Sequence, residues 1–261
     1  MKITIIGSGN VATHISLAFK KIGVKTNQIY SRNYSNAQKL AKIIDAKAIS
    51  HLTDINDSSD IYFVAVSDKA IFEVAEMMPK LSGIVAHTAG CVPISILSKF
   101  SSYGSFYPYQ TFTNGREIDF AKINLFVEGN NHKTEKKMFE IASKISCHVE
   151  IANIQKRTTL HLAAVFGCNF TNHLYNISQK ILEDVGLSFD YLKPIIEETA
   201  SKACEMKPFI AQTGPAVRKD LEVMNFQLEK LKDYKHFSDI YNLISKSIMN
   251  LHNNDKKTEW I

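Results

Sequence analysis

The chain has 261 residues, of which 45% are hydrophobic and 22% charged, and its net charge of +5 is mild, as in a globular protein of one or two domains. It contains no basic run that would follow a nucleic-acid backbone, no apolar stretch near the roughly 18 residues of a membrane helix, and no CxxC pair among its four cysteines. We therefore expect a cytoplasmic protein that acts on a small molecule, without a metal site, a nucleic-acid partner or a membrane partner.

Residues 1–153 alternate short runs of β-branched residues with helical patterns, which is typical of parallel β-α-β units. The predicted strands are Lys2–Ile6, Gln28–Ser31, Ala46–Ser50, Asp60–Val66, Gly83–His87, Ile123–Glu128 and Cys147–Ile151. Helical patterns lie between them near Asn10–Ile22, Ser35–Ile44, Lys69–Met78, Ile94–Phe100 and Thr134–Ser146. This order predicts an α/β domain of the Rossmann type, with a doubly wound, mostly parallel sheet.

The pattern changes after residue 153, and helical periodicity dominates from there to Leu251. One long helix is predicted from Gln155 to about Val185, with Gly186 as its C-cap. Further helices are predicted near Ser188–Glu205, Arg218–Leu231 and Phe237–Leu251. We therefore predict an all-α domain over residues 154–261.

A glycine-rich turn follows the first predicted strand and opens the first predicted helix. It reads Gly7-Ser8-Gly9-Asn10-Val11-Ala12, a GxGxxA pattern. In a dinucleotide-binding fold the first glycine makes the tight turn, the second lets the backbone approach the pyrophosphate, and the third small residue allows close packing of helix and strand. The motif predicts that residues 7–11 hold the cofactor; the alternative is a turn with only a structural role.

The end of the second predicted strand distinguishes NADP from NAD. An NAD site usually has an acidic residue there for the ribose 2′-hydroxyl, whereas this chain has Ser31 and Arg32. Both can hold a 2′-phosphate, so NADP is the predicted cofactor, unless Arg32 is simply a solvated loop residue. Only four of the 31 basic residues are arginines (Arg32, Arg116, Arg157 and Arg218), which hints that these positions need a planar guanidinium.

Ligands of open α/β sheets lie beyond the carboxyl ends of the strands. Val66 ends the fourth predicted strand, Ser67 follows it and Thr88 follows the fifth strand, so we predict that these three residues line the cofactor path. His87, at the end of the fifth strand, is a candidate catalytic residue, and a plain turn is its alternative role.

Several polar residues are candidates for the substrate side. In the aromatic segment Phe106–Phe112, Tyr107 and Gln110 are predicted substrate donors, if the segment is more than a rigid loop at the sheet edge. His161 and Asn169 are predicted to share one face of the long helix and to line a cleft between the domains, and a structural role is the alternative for His161. A Gly-Pro turn places Thr213 and Arg218 as ligands for a substrate carboxylate or phosphate, with a structural loop as the alternative.

Five segments together resemble a single family: GSGNVA, HTAG, YPYQTF, HLAAVFGCNFTNHLY and TGPAVRKD. Its members are described as NADP oxidoreductases and join a Rossmann-like domain to a helical C-terminal domain of unknown function. The chain is more distantly similar to pyrroline-5-carboxylate reductases and β-hydroxyacid dehydrogenases, whose helical domains commonly dimerise. The resemblance implies the fold, an NADP cofactor and a homodimer through the helical domain.

One position departs from the wider pattern. β-Hydroxyacid dehydrogenases similar to 6-phosphogluconate dehydrogenase use a lysine one turn before an asparagine of the interdomain helix. If Asn169 matches that asparagine, the lysine position holds Val165, which carries no proton. His161 is the nearest titratable replacement, and the ordinary pKa of histidine suits acid-base chemistry near neutrality.

These expectations combine into an NADPH-dependent reductase of a small carbonyl or imine compound. His161 or His87 would donate the proton, and Asn169, Gln110 and Arg218 would orient the substrate. Two alternatives stay open: an NADP-binding sensor without catalysis, and a deazaflavin-dependent oxidoreductase.

Overall fold

Eight strands form one sheet in the computed structural model, which describes residues 1–253. They are β1 (Lys2–Ile6), β2 (Lys25–Tyr30), β3 (Lys47–Ile49), β4 (Ile61–Val64), β5 (Ile84–His87), β6 (Tyr103–Tyr109), β7 (Asn124–Gly129) and β8 (His148–Ile151). The spatial order is β3-β2-β1-β4-β5-β6-β7-β8, and every neighbouring pair is parallel except β6 with β7. This arrangement confirms the predicted Rossmann-like, mostly parallel sheet.

Both faces of the sheet are covered, which explains why its strands are almost continuously apolar. On one face, Ile3, Ile5 and Phe63 belong to a core that includes residues of the flanking helices. On the other face, Ile6 and Val64 belong to a second core. The α-helices within residues 1–169 are α1 (Asn10–Lys21), α2 (Tyr34–Ile44), α3 (Ile71–Met77), α4 (His132–Ala142) and α5 (Ile154–Ala164).

Strand β6 is the main element that the sequence did not predict, because Pro108 made the segment look like a loop. Proline has no backbone N–H, and it is tolerated in a strand only where no sheet hydrogen bond is needed from it. In the structure the pairing of β5 with β6 ends at Ser105, and beyond it β6 pairs only with β7. Pro108 therefore lies in the part of β6 that has a paired strand on one side only.

The long predicted helix is interrupted. Helix α5 ends at Ala164, a π-helical turn spans Val165–Phe170, and α6 begins at Thr171. After α6, the amide of Leu187 donates to the carbonyl of Leu182, and Gly186 has a φ of +73°, as predicted for a glycine C-cap.

The chain divides into two compact units, Met1–Asn169 and Phe170–Ile261. Helix α5, the first helix of the predicted second domain, therefore belongs with the sheet. The second unit contains only helices within its described residues: α6 (Thr171–Glu183), α7 (Lys193–Glu205), α8 (Pro208–Ala211), α9 (Pro215–Arg218), α10 (Leu221–Lys230) and α11 (Lys235–Asn253).

Within residues 1–253, none of the helices combines the length and the apolar character needed to span a bilayer. The cytoplasmic location stays a prediction.

Candidate cofactor and catalytic site

The predicted cofactor residues come together at one edge of the sheet, where the parallel strands end. The amide of Gly7 donates to the carbonyl of Tyr30 at 2.8 Å, which joins the ends of β1 and β2. The hydroxyls of Ser8 and Ser31 are 2.7 Å apart. On the next strands, Val66 and Ser67 follow β4, and Thr88 follows β5.

The two glycines of GSGNVA have different roles. Gly7 has a φ of +130°, and a Cβ added to it would lie 2.2 Å from the carbonyl oxygen of Ala65, so only glycine fits this turn. A Cβ added to Gly9 would meet no heavy atom within 4 Å. The restriction at Gly7 comes from the fold, whereas the fold leaves the space in front of Gly9 open.

Gly9 is also the N-cap of α1, and the start of this helix suits a phosphate. No side chain caps the helix, and its first turn has no acidic residue. The first amides of an uncapped helix and its positive dipole end attract anions. Together with the open space at Gly9, they form a cradle that fits the pyrophosphate of a dinucleotide.

Ser31 and Arg32 lie where a ribose 2′-substituent would be read. Ser31 is buried, whereas Arg32 is exposed just before Asn33, the N-cap of α2. Arg32 forms no ion pair with the part of the chain that the structure describes. Its guanidinium is therefore available to a phosphate.

A second group of residues surrounds His161. The Tyr107 hydroxyl is 3.2 Å from Nδ1 of His161. A Cβ added to Gly90 would lie 3.0 Å from Cζ of Tyr107 and 3.2 Å from Cβ of His161, so the HTAG turn packs against both side chains. The Tyr109 hydroxyl donates to the Leu160 carbonyl at 2.9 Å and holds α5 against the sheet.

Burial raises the pKa of Tyr107 to about 12. Its hydroxyl therefore keeps its proton over the whole physiological range and acts toward His161 as a neutral hydrogen-bonding group.

His87 has a different environment. Its side chain is fully buried, and its Nδ1 accepts a hydrogen bond from the amide of Ala89 at 3.2 Å. Burial and the charge of Arg157 lower the pKa of His87 to about 3, although the nearby Pro93 carbonyl opposes this shift. The ring is thus neutral near pH 7, and its contacts fit a role in holding the HTAG turn.

Tyr107 is the predicted substrate ligand that belongs to this group, and the other predicted ligands are exposed. Gln110 is exposed, and its Oε1 accepts a hydrogen bond from the amide of Thr111 at 2.8 Å. Asn169 is exposed within the π-helical turn, which changes the helical spacing on which its shared face with His161 was predicted. Thr213 and Arg218 are exposed residues of the second unit.

Arg157 is the residue whose importance the sequence only hinted at. Its side chain is fully buried, and it forms an ion pair with Glu128 of β7. The scarcity of arginine in a lysine-rich chain was the one available indication.

Comparisons with known proteins agree with this architecture. Residues 2–90 match the family described as NADP oxidoreductase coenzyme F420-dependent, and residues 123–248 match a domain of unknown function, DUF2520. No curated protein matches the chain.

Solved structures extend the likeness to nearly the whole chain. A "putative NADP oxidoreductase" from Bacteroides fragilis is 37% identical, with a TM-score of 0.90 over 95% of this chain and 98% of its own. A 1-pyrroline-5-carboxylate reductase from Streptococcus pyogenes is 13% identical, with a TM-score of 0.63 over 96% of this chain and 98% of its own. An imine reductase from Myxococcus stipitatus in complex with NADP⁺ is 13% identical, with a TM-score of 0.59 over 97% of this chain and 93% of its own.

We predict opposite phenotypes for the two glycines of the motif. Gly7→Ala should lower the free energy of unfolding by about 3 kcal/mol, because the added Cβ would be both strained and in collision with backbone. Gly9→Val should leave stability near that of the wild type but abolish NADPH binding, since the side chain would fill the open cradle. Urea unfolding without cofactor and fluorescence titration with NADPH measure the two effects. A Gly9→Val protein that binds NADPH normally would show that the motif is only a turn.

A second prediction concerns acid stability. The pKa of His87 is about 3 in the folded protein, against the ordinary 6.5 expected once the chain unfolds. Between these values the unfolded chain binds the extra proton, so the contribution of His87 is complete above pH 6.5 and is lost as the pH falls toward 3. His87→Asn should therefore flatten the pH dependence of unfolding in this window, and the exposed-site control His51→Asn should not. Equal slopes for wild type and His87→Asn would contradict the burial argument.

Proposed function

We propose that the chain, which belongs to the family of the "putative NADP oxidoreductase" from Bacteroides fragilis, is an NADPH-dependent reductase of a small carbonyl or imine compound. The observation that carries this proposal is the Tyr107–His161 pair, which packs against the HTAG turn at the carboxyl end of β5. Such a reduction requires a binding site, which the carboxyl ends of the strands provide in this type of fold, and a side chain that donates a proton.

The cradle at Gly9 and the pair Ser31 and Arg32 support NADPH as the cofactor. Gly9 and the first turn of α1 would hold the pyrophosphate, and Arg32 would bind the 2′-phosphate through charge-assisted hydrogen bonds. Val66, Ser67 and Thr88 would line the path between them. When bound, NADPH would supply the hydride that reduces the substrate carbon.

His161 would supply the matching proton. The imidazolium form of His161 would donate its Nδ1 proton to the Tyr107 oxygen and hold its Nε2 proton for the substrate, and loss of the Nε2 proton leaves a neutral imidazole. The carbonyl oxygen or imine nitrogen would take that proton, giving an alcohol or an amine. His87 is left out of this step because its ring is buried and neutral. The orienting roles of Gln110, Asn169, Thr213 and Arg218 stay predictions.

A second candidate is a deazaflavin-dependent oxidoreductase. It is favoured by the description of the family that matches residues 2–90, which names coenzyme F420. Native mass spectrometry of the purified protein distinguishes the two, because NADP(H) and a deazaflavin differ in mass. A protein that retains NADP(H) but reduces no substrate would instead support a binding role without chemistry.

The choice of NADPH over NADH should depend on Arg32. We expect Arg32→Ala to weaken NADPH binding by about 1.5–3 kcal/mol, the range for a hydrogen bond to a charged group, and to leave NADH binding nearly unchanged. Arg116→Ala, which removes another exposed arginine, is the matched control. Calorimetric titration measures each affinity. Equal losses for both cofactors would rule out a role of Arg32 in reading the 2′-phosphate.

The proton donor can be tested by turnover. With a panel of small ketones, keto acids and cyclic imines, His161→Ala should lower the rate of NADPH oxidation by roughly 10²–10⁴-fold, the usual contribution of a general acid. NADPH affinity should stay the same, and Tyr107→Phe should cause a smaller loss because the imidazole remains. The exposed histidine in His132→Ala serves as control. Full turnover by His161→Ala would exclude its assignment as the acid.

We also propose that the active form is a homodimer through the helical unit. Val185, Tyr191, Ile210 and Leu243 are each about 70% exposed in the single chain. Large apolar side chains left this exposed in one unit are available to an interface with a second copy. Sedimentation velocity should show a dimer that Leu243→Glu weakens at least tenfold, whereas Phe72→Glu on α3 leaves it intact. A monomeric wild type would overturn the proposal.

A further inference from the structure

Arg157 is the anchor of the helix that carries His161. It is the only residue of α5 whose side chain is buried, and it lies one helical turn before His161. A fully buried guanidinium loses its hydration, and ion pairs in such places often stabilise a fold no better than apolar residues would. The presence of Arg157 is therefore better explained by the positions that it imposes on neighbouring segments than by a gain in stability.

The guanidinium joins three separate segments of the chain. One terminal nitrogen forms the ion pair with Glu128 on β7 and also donates to the Ala152 carbonyl, at 3.1 Å, just before α5. The other terminal nitrogen donates to the Val92 carbonyl at 2.8 Å. A planar fork can satisfy partners in these directions at once, and a lysine ammonium on a flexible stem does so poorly.

The bond to Val92 connects Arg157 to the turn that packs on the catalytic pair. Val92 follows Gly90, whose backbone lies against both Tyr107 and His161. The charge of Arg157 also acts on His87, the first residue of the same turn. Arg157 thus ties the turn and strand β7 to the start of α5, the helix that carries His161.

We infer that Arg157 is a positioning residue, which sets the place of α5 and the HTAG turn so that His161 Nδ1 meets the Tyr107 hydroxyl. This inference rests on the proposed function, in which that contact holds the ring with its Nε2 proton toward the substrate. Arg157 itself touches neither Tyr107 nor His161 by any hydrogen bond among the described residues.

The test compares His161 in full-length variants. Arg157→Lys keeps the charge and loses the fork, and Tyr107→Phe defines the signature of a lost contact. In ¹⁵N-labelled protein, the ring-nitrogen shifts of His161 in Arg157→Lys should move most of the way toward those in Tyr107→Phe. NADPH affinity should fall far less than in Gly9→Val, since the GSGNVA cradle is built from other elements.

Two controls separate positioning from general loss of stability. Lys156→Met removes a neighbouring exposed ion pair with Glu150, and Ile141→Val weakens the core beneath α4. Neither should move the His161 shifts. If Arg157→Lys does not fold, Glu128→Gln loosens the same fork and should move them in the same direction. Unchanged His161 shifts in the folded variant overturn this inference, whereas a wild type that binds no NADPH overturns the proposed function instead.

Discussion

The close approach of the end of β1 to the end of β4 is the constraint on which the cofactor edge depends. Gly7 can lie against the Ala65 carbonyl only because it has no side chain, and its positive φ turns the chain directly into α1. That turn aims the uncapped start of α1 along the sheet edge and brings Ser8 next to Ser31. The position of the uncapped helix start and that of Ser8 beside Ser31 therefore both depend on one backbone contact.

A second constraint acts on the other half of the sheet, where one face changes from apolar to polar. Ile6 and Val64 occupy this face on β1 and β4, but His87, Ser105 and Glu128 follow in register on β5, β6 and β7. Buried polar groups are costly unless they are hydrogen-bonded. The ion pair of Arg157 with Glu128 offsets part of the desolvation of these polar side chains. The same ion pair holds α5 against the polar part of this face.

Local patterns predicted the parts of the protein whose physics is local. The alternation of strands and helices predicted the parallel sheet, and the glycine turn predicted which edge of the sheet would hold a cofactor. Both patterns depend on residues that lie close together in the chain. Strand β6 was missed since the tolerance of Pro108 depends on where β5 stops pairing. Arg157 could not be placed because its partners are a distant carboxylate and two backbone carbonyls. The burial of His87 is likewise a property of the assembled sheet.

The edges of the sheet bear on how copies of the protein can aggregate. An open sheet has two outer strands whose free backbone groups can recruit further strands. Here the outer strands are β3, with three residues, and β8, with four, and they carry the polar side chains of Lys47, His148 and Glu150. Short, charged edges of this kind make poor templates for cross-strand growth. Misassembly through the backbone is thereby discouraged, and self-association is left to contacts between side chains.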